Sequence, residues 1–253
     1  MRNVLAITGK EIRAYFTSPI AYVVIGMYAL LFGYFFYVML TLFERQSMQM
    51  MQMGGTMNVN QMLVAPVFMN AEVVLLFLLP MVTMRTYSEE KRSGTMELLL
   101  TAPLTDWQII LGKFFGAMTL FAAMLATTLV HVGLLFVFGE PEWKPIVTTY
   151  LGMLLMGGCF IALGLFISSL TKNQIVAATI TFAAFLLFWV INWMGSFVGT
   201  TAQAVLAHLS IIDHFDDFAK GIIDTKHVIY YVSFIAFGLF LTAKSVDSER
   251  WRG

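Results

Sequence analysis

The sequence predicts an all-α, polytopic membrane protein, and its composition is the first reason. Of the 253 residues, 59% are hydrophobic and only 12% are charged, whereas a soluble domain is about 45–50% apolar and about 25% charged. So little charge cannot cover the surface of a soluble monomer, and the balance of 15 basic and 15 acidic residues excludes the basic excess of a nucleic-acid binder. The single cysteine, Cys159, excludes a disulfide framework and a cysteine-based zinc site.

Six apolar segments are the second reason, because each has the roughly 20 residues that a helix needs to cross a bilayer. They comprise residues 20–42, residues 62–84, the stretch between Lys113 and Glu140, the stretch between Lys144 and Lys172, residues 173–194, and the stretch between Lys226 and Lys244. No connection has the size of a domain and no internal repeat is visible. Residues 1–253 are therefore predicted to form one membrane domain.

The basic residues set the predicted orientation, since cytoplasmic connections carry an excess of Lys and Arg. Six spans place both termini on one side, together with Arg2, Lys10, Arg13, Arg85, Lys91, Arg92, Lys113, Lys172, Lys244, Arg250 and Arg252. The other side holds only Arg45, Lys144, Lys220 and Lys226. Both termini are therefore predicted to be cytoplasmic.

Residues 1–18 predict a helix that lies in the inner membrane interface. Leu5, Ile12 and Phe16 recur near one helical face and basic residues lie among them, which is the pattern of an interfacial amphipathic helix. Pro19 stands where the chain turns into the first span. A frayed basic tail is the alternative.

The cytoplasmic segment RTYSEEKRSGTMELLLTAPLTD predicts a hairpin over residues 88–104 that contains a short helix. Gly94 ends the preceding helix, and Thr95 is expected to cap a helix over residues 96–101 with Glu97 in its first turn. Pro103 ends that helix. Three consecutive leucines at 98–100 would not be needed in a solvated connection, so we expect an apolar docking surface there.

The start of the third span and its small residues carry further predictions. Thr105 and Gln108 have the spacing of a capping box. Gly112 with Gly116, and Gly164 with Ser168, have the small-residue spacing that lets helices pack closely. Packing within one subunit is the simpler explanation for each pair, and packing between subunits is the alternative.

Two outer segments are not simple spans. Residues 203–223 predict an outer amphipathic helix or a short re-entrant pair, whose polar residues His214, Asp216, Asp217 and Lys220 would face a partner. Residues 47–62 form a methionine-rich outer loop. Its thioethers at Met48, Met50, Met51 and Met53 could collect Cu(I), but a mobile, compositionally biased loop is favoured because no Cys or His interleaves them.

Three polar side chains lie within or beside the predicted spans. Glu72 interrupts an apolar stretch, so it is expected either to line a cavity or pair across subunits, or to lie near the outer headgroups. Arg85 is predicted to reach the interface as an anchor. His131 is predicted to make a helix contact rather than bind a metal.

The cytoplasmic hairpin EEKRSGTMELLLTAPLTDWQIILGKF closely resembles the coupling-helix region of ABC-2 type permeases, the membrane subunits of many ABC exporters. The segment TSPIAY resembles the usual end of the elbow helix in that family. The stretch HFDDFAKGIIDTKHVIYY at residues 214–231 resembles the gliding-motility-associated branch, which shares broad features with permeases linked to nitrous-oxide reductase maturation.

The resemblance implies a coupling site that docks on a separate cytoplasmic ATPase dimer in the bacterial inner membrane. Its residues would be Glu89, Glu90, Arg92, Gly94, Thr95, Glu97, Leu98, Leu99 and Pro103. No Walker A sequence occurs here, since the Gly112-Lys113 pair lacks the rest of that motif. ATP and Mg²⁺ are therefore expected in the partner, and no cofactor or catalytic residue in this chain.

Three alternatives remain open at this level. Two permease subunits are expected to form a translocation path, either as a homodimer or as a heterodimer. The presence of a periplasmic auxiliary membrane protein would favour membership of the gliding-associated branch. A membrane subunit that transmits force to a periplasmic partner without moving a solute is the rival from another class. A copper-related permease rests on the methionine loop alone.

Overall fold

The computed structural model describes residues 2–55, 57–195 and 208–250, and the regular structure in those ranges is entirely helical. A π-helical stretch, Asn60–Val64, precedes the third helix. The α-helices are α1 (Arg2–Thr17), α2 (Pro19–Gln52), α3 (Ala65–Thr83), α4 (Arg85–Ser93), α5 (Thr95–Thr101), α6 (Asp106–Phe138), α7 (Trp143–Leu170), α8 (Gln174–Gly195), α9 (Asp213–Ala219) and α10 (Thr225–Arg250).

Six of the described helical segments are long and apolar enough to cross a membrane, which confirms the predicted fold class. They are α2, the α3–α4 segment, α6, α7, α8 and α10. The α3–α4 segment and α7 are largely buried inside the chain, whereas α2, α8 and α10 are mostly exposed. The bundle is therefore centred on α3 and α7, with broad apolar faces of α2, α8 and α10 on its outside.

The first helix, α1, packs along the N-terminal half of α6 because two glycines there leave room for it. A Cβ atom on Gly112 would lie 2.6 Å from Cβ of Ile7, and one on Gly116 would lie 2.6 Å from Cβ of Glu11. The hydroxyl of Thr8 also donates to the carbonyl of Gly112 at 3.2 Å. The small-residue pair on α6 thus serves packing within the chain, as the simpler explanation predicted.

Helix α2 is longer than the sequence predicted. The apolar run indicated residues 20–42, but the helix continues to Gln52. Its 34 residues correspond to about 51 Å, against a hydrocarbon core of about 30 Å. The first part of the predicted methionine loop is therefore the outer end of a helix, because Met, Gln and Glu all have high helix propensity.

The predicted outer helix over residues 203–223 is shorter and more buried than expected. Residues 203–207 lie outside the described ranges, and α9 itself spans seven residues before the chain turns at Gly221, whose φ is +89°. Phe215 and Phe218 are fully buried, and a Cβ on Gly152 of α7 would lie 2.7 Å from Cβ of Phe218. Two aromatic rings that fit against a glycine hold α9 inside the outer end of the bundle.

We predict that Gly112→Ala and Gly116→Ala each destabilise the protein, because the new methyl group would overlap side chains of α1. Overpacking of this kind costs about 1–3 kcal/mol. The matched control is Gly133→Ala on the same helix, where a Cβ would have nothing within 4 Å and the better helix propensity of alanine would be neutral or favourable. Thermal unfolding in detergent gives the melting temperature of each of the three variants. Equal melting temperatures would contradict the close fit of α1 against the two glycines.

Candidate functional site: the cytoplasmic coupling region

Helix α5 exposes Leu98, whereas Met96 and Leu99 lie against the bundle. Leu98 is 72% exposed and Met96 is 5% exposed. Leu99 is half-buried against the core, and Glu97 is exposed in the first turn. Of the apolar surface predicted over residues 98–100, Leu98 is therefore accessible and Leu99 partly so, while the side chain of Leu100 lies outside the described residues.

The two ends of α5 are set by backbone features. Gly94 has a φ of +73°, so it ends α4 and also occupies the position before α5, where a side-chain cap is absent. The prediction that Thr95 caps this helix was wrong by one residue, and its hydroxyl lies 2.9 Å from that of Ser93 instead. At the other end Ala102 is extended, as the residue before Pro103 must be.

The predicted capping box at the start of α6 is confirmed. The hydroxyl of Thr105 accepts from the backbone N–H of Gln108, whose side chain accepts from the backbone N–H of Thr105. The direction of α6 after the α5 segment is thereby fixed, because both groups of the box are satisfied reciprocally.

Ser168 of α7 supports the bend between α3 and α4. Its hydroxyl oxygen lies 3.1 Å from the backbone nitrogen of Tyr87 and 3.2 Å from that of Ser88, and both N–H groups donate to it. The same hydroxyl donates to the carbonyl of Met84 at 2.9 Å. Ser168 therefore satisfies backbone groups that the interruption of the helix at Met84 leaves without partners.

A buried ion-pair network joins α4 to α1 and α6, and Lys113 is at its centre. The Lys113 side chain is 0% exposed, and its Nζ lies 3.0 Å from Glu11 Oε1, 2.9 Å from Glu90 Oε2 and 2.8 Å from the carbonyl of Thr86. The ring of Tyr87 is 5.0 Å away, within cation–π range. Two carboxylates and a carbonyl thus compensate one buried ammonium group.

Lys10 extends this network to the surface. Its Nζ is 2.8 Å from Glu90 Oε1 and 3.7 Å from Glu11 Oε1. Burial lowers the pKa of Lys10, but the hydrogen bond to Glu90 and the two carboxylate charges outweigh it and raise the pKa overall. Lys10 therefore stays charged, and it shields the outer edge of the network.

Helix α4 also contacts the fifth and sixth spans. The side-chain amide of Gln174 on α8 donates to Glu89, and Lys91 Nζ lies 2.7 Å from Glu249 Oε1 on α10. Arg92 is exposed. Of the four charged residues that the hairpin pattern assigned to ATPase contact, Glu89 and Glu90 thus use carboxylate oxygens within the chain, whereas Arg92 and Glu97 face outward.

Sequence reasoning missed Glu11 and Lys113 at the centre of this network and Ser168 at the bend between α3 and α4. Glu11 and Lys113 interrupt otherwise apolar helical faces, and that irregularity was a signal that could have found them. Arg85, predicted as an interfacial anchor, donates from Nη1 to the hydroxyl of Ser18 at 3.0 Å. It thereby links α4 to the junction between α1 and α2.

The other two polar residues of the spans lie apart from this region. Glu72 is 5% exposed, and its Oε2 has no hydrogen-bond partner within the described residues. The side chain therefore lies inside the chain, and both of its predicted roles stay predictions. His131 packs against the rings of Phe32 and Phe36, with centroids 5.4 and 5.2 Å away, so it makes the helix contact that was predicted.

The predicted outer partner surface is only partly accessible. Lys220 is exposed and Asp216 and Asp217 are half-buried, but His214 is 6% exposed and bonded within the chain. Availability to a partner therefore stays a prediction for Asp216, Asp217 and Lys220 alone.

The methionines of the outer α2 segment are exposed. Met48, Met50, Met51 and Met53 all present thioethers to the surroundings, and the Cu(I) hypothesis for them stays a prediction. Within the described ranges, no group of three or more His, Cys, Asp or Glu residues is arranged to hold a metal ion.

Comparison with known proteins adds two findings. The sequence profile that describes the "ABC-2 family transporter protein" family matches residues 54–212, which includes α4, α5 and the start of α6. The "Probable multidrug ABC transporter permease YbhR" of Escherichia coli K12 is 33% identical over 93 residues, and the same permease of E. coli O157:H7 matches equally.

The alignment with these permeases covers 37% of this chain and 25% of the relative, so this chain matches about a quarter of the length of the curated relatives. The profile match is broader, because it covers more than half of the chain and includes the helix that protrudes with Leu98. On that basis the protein belongs to the ABC-2 family of transporter proteins.

Proposed function

We propose that this chain is the membrane-spanning permease subunit of an ABC exporter in the bacterial inner membrane. A separate dimeric ATPase would bind and hydrolyse ATP with Mg²⁺, and α5 would dock on it. Family membership and the six apolar helices support a membrane permease. The E. coli relatives are named as multidrug ABC transporter permeases, and export as the direction of transport rests on the sequence resemblance.

The exposed Leu98 on the fixed helix α5 is the observation that carries this proposal. An isolated leucine at 72% exposure on a cytoplasmic helix gains nothing from lipid or core, but it would gain free energy in a partner's apolar groove. Glu97 beside it offers a polar contact at the edge. Buried Met96 keeps both residues in this orientation.

Helix α4 is the element that would distribute a movement of α5. Its side chains and backbone bond to α1, α6, α7, α8 and α10 through Glu90, Thr86, Tyr87, Glu89 and Lys91. A displacement of the docking helix relative to the membrane would therefore reach five other helices directly. Gly94 and Ala102–Pro103 confine bending to the two ends of α5.

A second permease subunit completes the proposed transporter. The broad exposed apolar faces of α2, α8 and α10 provide surface for a second subunit as well as for lipid. Whether the partner is a second copy or a related chain, and whether a periplasmic auxiliary protein of the gliding-associated type joins it, are parts of this proposal that rest on the sequence resemblance.

The force-transmitting alternative finds less support in the fold. It requires a working surface on the outer side, for which the sequence offered residues 203–223. The helix in that segment has only seven residues, and its aromatic side chains and His214 are buried. The permease proposal is therefore the one that the described residues favour.

We predict that Leu98→Asp abolishes docking of the ATPase, because a carboxylate would be desolvated in the partner's groove. Loss of a central apolar contact typically weakens binding about 30-fold or more. The measurement is purification of the full chain from its native membranes, followed by quantitative mass spectrometry of co-purified proteins that contain a Walker A motif.

Leu98→Met is the matched control, since it keeps an apolar side chain of similar volume and should retain the ATPase. Because Leu98 is exposed, neither change should alter thermal stability by more than about 0.5 kcal/mol. An Asp variant that retains the wild-type amount of ATPase would contradict docking through α5.

We also predict that Lys113→Met destabilises the protein and weakens docking of the ATPase, because it leaves the buried carboxylates of Glu11 and Glu90 with only Lys10, whose side chain is 57% exposed, as a counter-ion. Removing one partner of a buried ion pair costs about 3–5 kcal/mol. The measurement is thermal unfolding of the full chain in nanodiscs, combined with the ATPase co-purification described above.

Lys10→Met is the comparison, because Lys10 pairs with the same Glu90 from a site whose side chain is 57% exposed. Exposed pairs contribute about 0–1 kcal/mol, so this variant should remain stable. Equal destabilisation by the two substitutions would show that Lys113 has no special position in the network.

A further inference from the structure

Two buried histidines meet at the outer end of the bundle, one from α9 and one from α10. The Nδ1 atoms of His214 and His227 are in hydrogen-bond contact, and the ring centroids are 4.7 Å apart. Each ring is bonded on its far side as well: His227 Nε2 lies 2.8 Å from Asp217 Oδ2, and His214 Nε2 lies 3.3 Å from the carbonyl of His208. Both histidines are 6% exposed.

The partners of this histidine pair determine how many protons it holds. A carboxylate and a carbonyl oxygen can only accept, so both Nε2 atoms must carry hydrogen. One further hydrogen is needed between the two Nδ1 atoms, since two lone pairs in contact would repel. The bonded pair therefore holds three protons on four ring nitrogens, which gives it one net positive charge.

The surroundings indicate where that charge resides. Burial is the main cause that lowers the pKa of His214, and the neighbouring His227, His208 and Lys226 lower it further, while the hydrogen bond to the His208 carbonyl raises it. His227 instead faces the carboxylate of Asp217. His227 therefore donates from Nδ1, and His214 accepts from it there.

Helix α9 has further contacts besides this pair: Phe215 and Phe218 are buried against α7, and Tyr230 on α10 donates to the carbonyl of Leu209 at 2.9 Å, just before α9. The hydroxyl of Thr148 on α7 donates to the carbonyl of Phe218 at 2.8 Å, and Tyr231 on α10 donates to the carbonyl of Ile211 at 2.8 Å. The pair is the charged contact between α9 and α10. Behind them lies Glu72, whose Oε2 lacks a hydrogen-bond partner in the described part of the chain.

The other titratable groups around the pair come from every element that packs there. The acids outnumber the two lysines, which favours a single retained positive charge on the pair. The groups are His208, Asp213, Asp216 and Lys220 on the α9 side, Asp224, Lys226, Tyr230 and Tyr231 on the α10 side, Glu72 on α3, and Cys159 on α7.

We propose that the His214–His227 pair is a proton-sensitive contact that holds α9 against α10 and releases it on acidification of the outer side. A fourth proton, taken up at His214 Nδ1, would place two imidazolium rings with N–H groups facing each other. The hydrogen bond between them would be lost and replaced by repulsion, so α9 would separate from α10 and uncover Glu72.

The sign of the pH dependence follows from the lowered pKa of His214. A histidine whose pKa is lower in the closed state stabilises that state at higher pH, and this contribution is lost as pH falls. The closed state is therefore favoured at neutral pH over acid pH.

The experiment measures the distance between the segment just before α9 and the end of α6, in the full chain in nanodiscs. Spin labels at Leu209→Cys and Phe138→Cys, which replace side chains that are 48% and 83% exposed, report this distance by pulsed electron paramagnetic resonance. The native Cys159 is buried and stays unlabelled. We expect one narrow distance at about pH 7.5 and a second, longer distance at about pH 5.

The control is His214→Gln in the same labelled chain. Glutamine can donate to the His208 carbonyl and accept from His227, but it cannot take up the fourth proton. The narrow distance should therefore persist at about pH 5 in this variant.

Three outcomes would overturn the proposal. One is a wild-type distance distribution that is the same at both pH values. Another is a His214→Gln variant that responds to acid like the wild type, and the third is a variant that shows the longer distance at both pH values. Because no ATPase is present, none of these outcomes depends on the proposed transport function.

Discussion

The buried ammonium group of Lys113 is the interaction on which the arrangement of α1, α4 and α6 depends. Its Nζ lies within 3.0 Å of carboxylates from α1 and α4, so these two helices must meet α6 at one point. An unpaired buried charge would cost several kcal/mol. The network therefore restricts α1, α4 and α6 to one arrangement, and the position of α5, which joins α4 to α6, follows from it.

The sequence predicted those features that depend on local patterns. Apolar length indicated the six spans, and the Thr105–Gln108 spacing indicated the start of α6. It did not predict the partners of Lys113, because Glu11 is 102 positions away and Glu90 lies on another helix, and such pairs leave no periodic signal. The full length of α2 was also missed, since the polar and methionine residues after residue 42 favour a helix without being apolar enough to mark a span.

Burial of α9 was missed for a related reason. Its seven residues alternate between aromatic and acidic side chains, which reads as a surface helix. The deciding residues are elsewhere: Gly152 leaves the space for Phe218, and Thr148 satisfies the carbonyl at the end of α9. Neither residue is adjacent to the segment, so the pattern of the segment alone could not show that it packs inside the bundle.

Helices α7 and α10 connect the two polar regions of the molecule. α7 carries Ser168 at the bend between α3 and α4, and Thr148 at the outer helix α9. α10 carries Glu249 beside Lys91 at one end and His227 beside His214 at the other. Because both helices are continuous between these contacts, a tilt imposed through α4 would also change the separation of the histidine pair. Protonation of that pair would in turn change how readily α4 tilts, since two sites that bias one conformational equilibrium affect each other reciprocally.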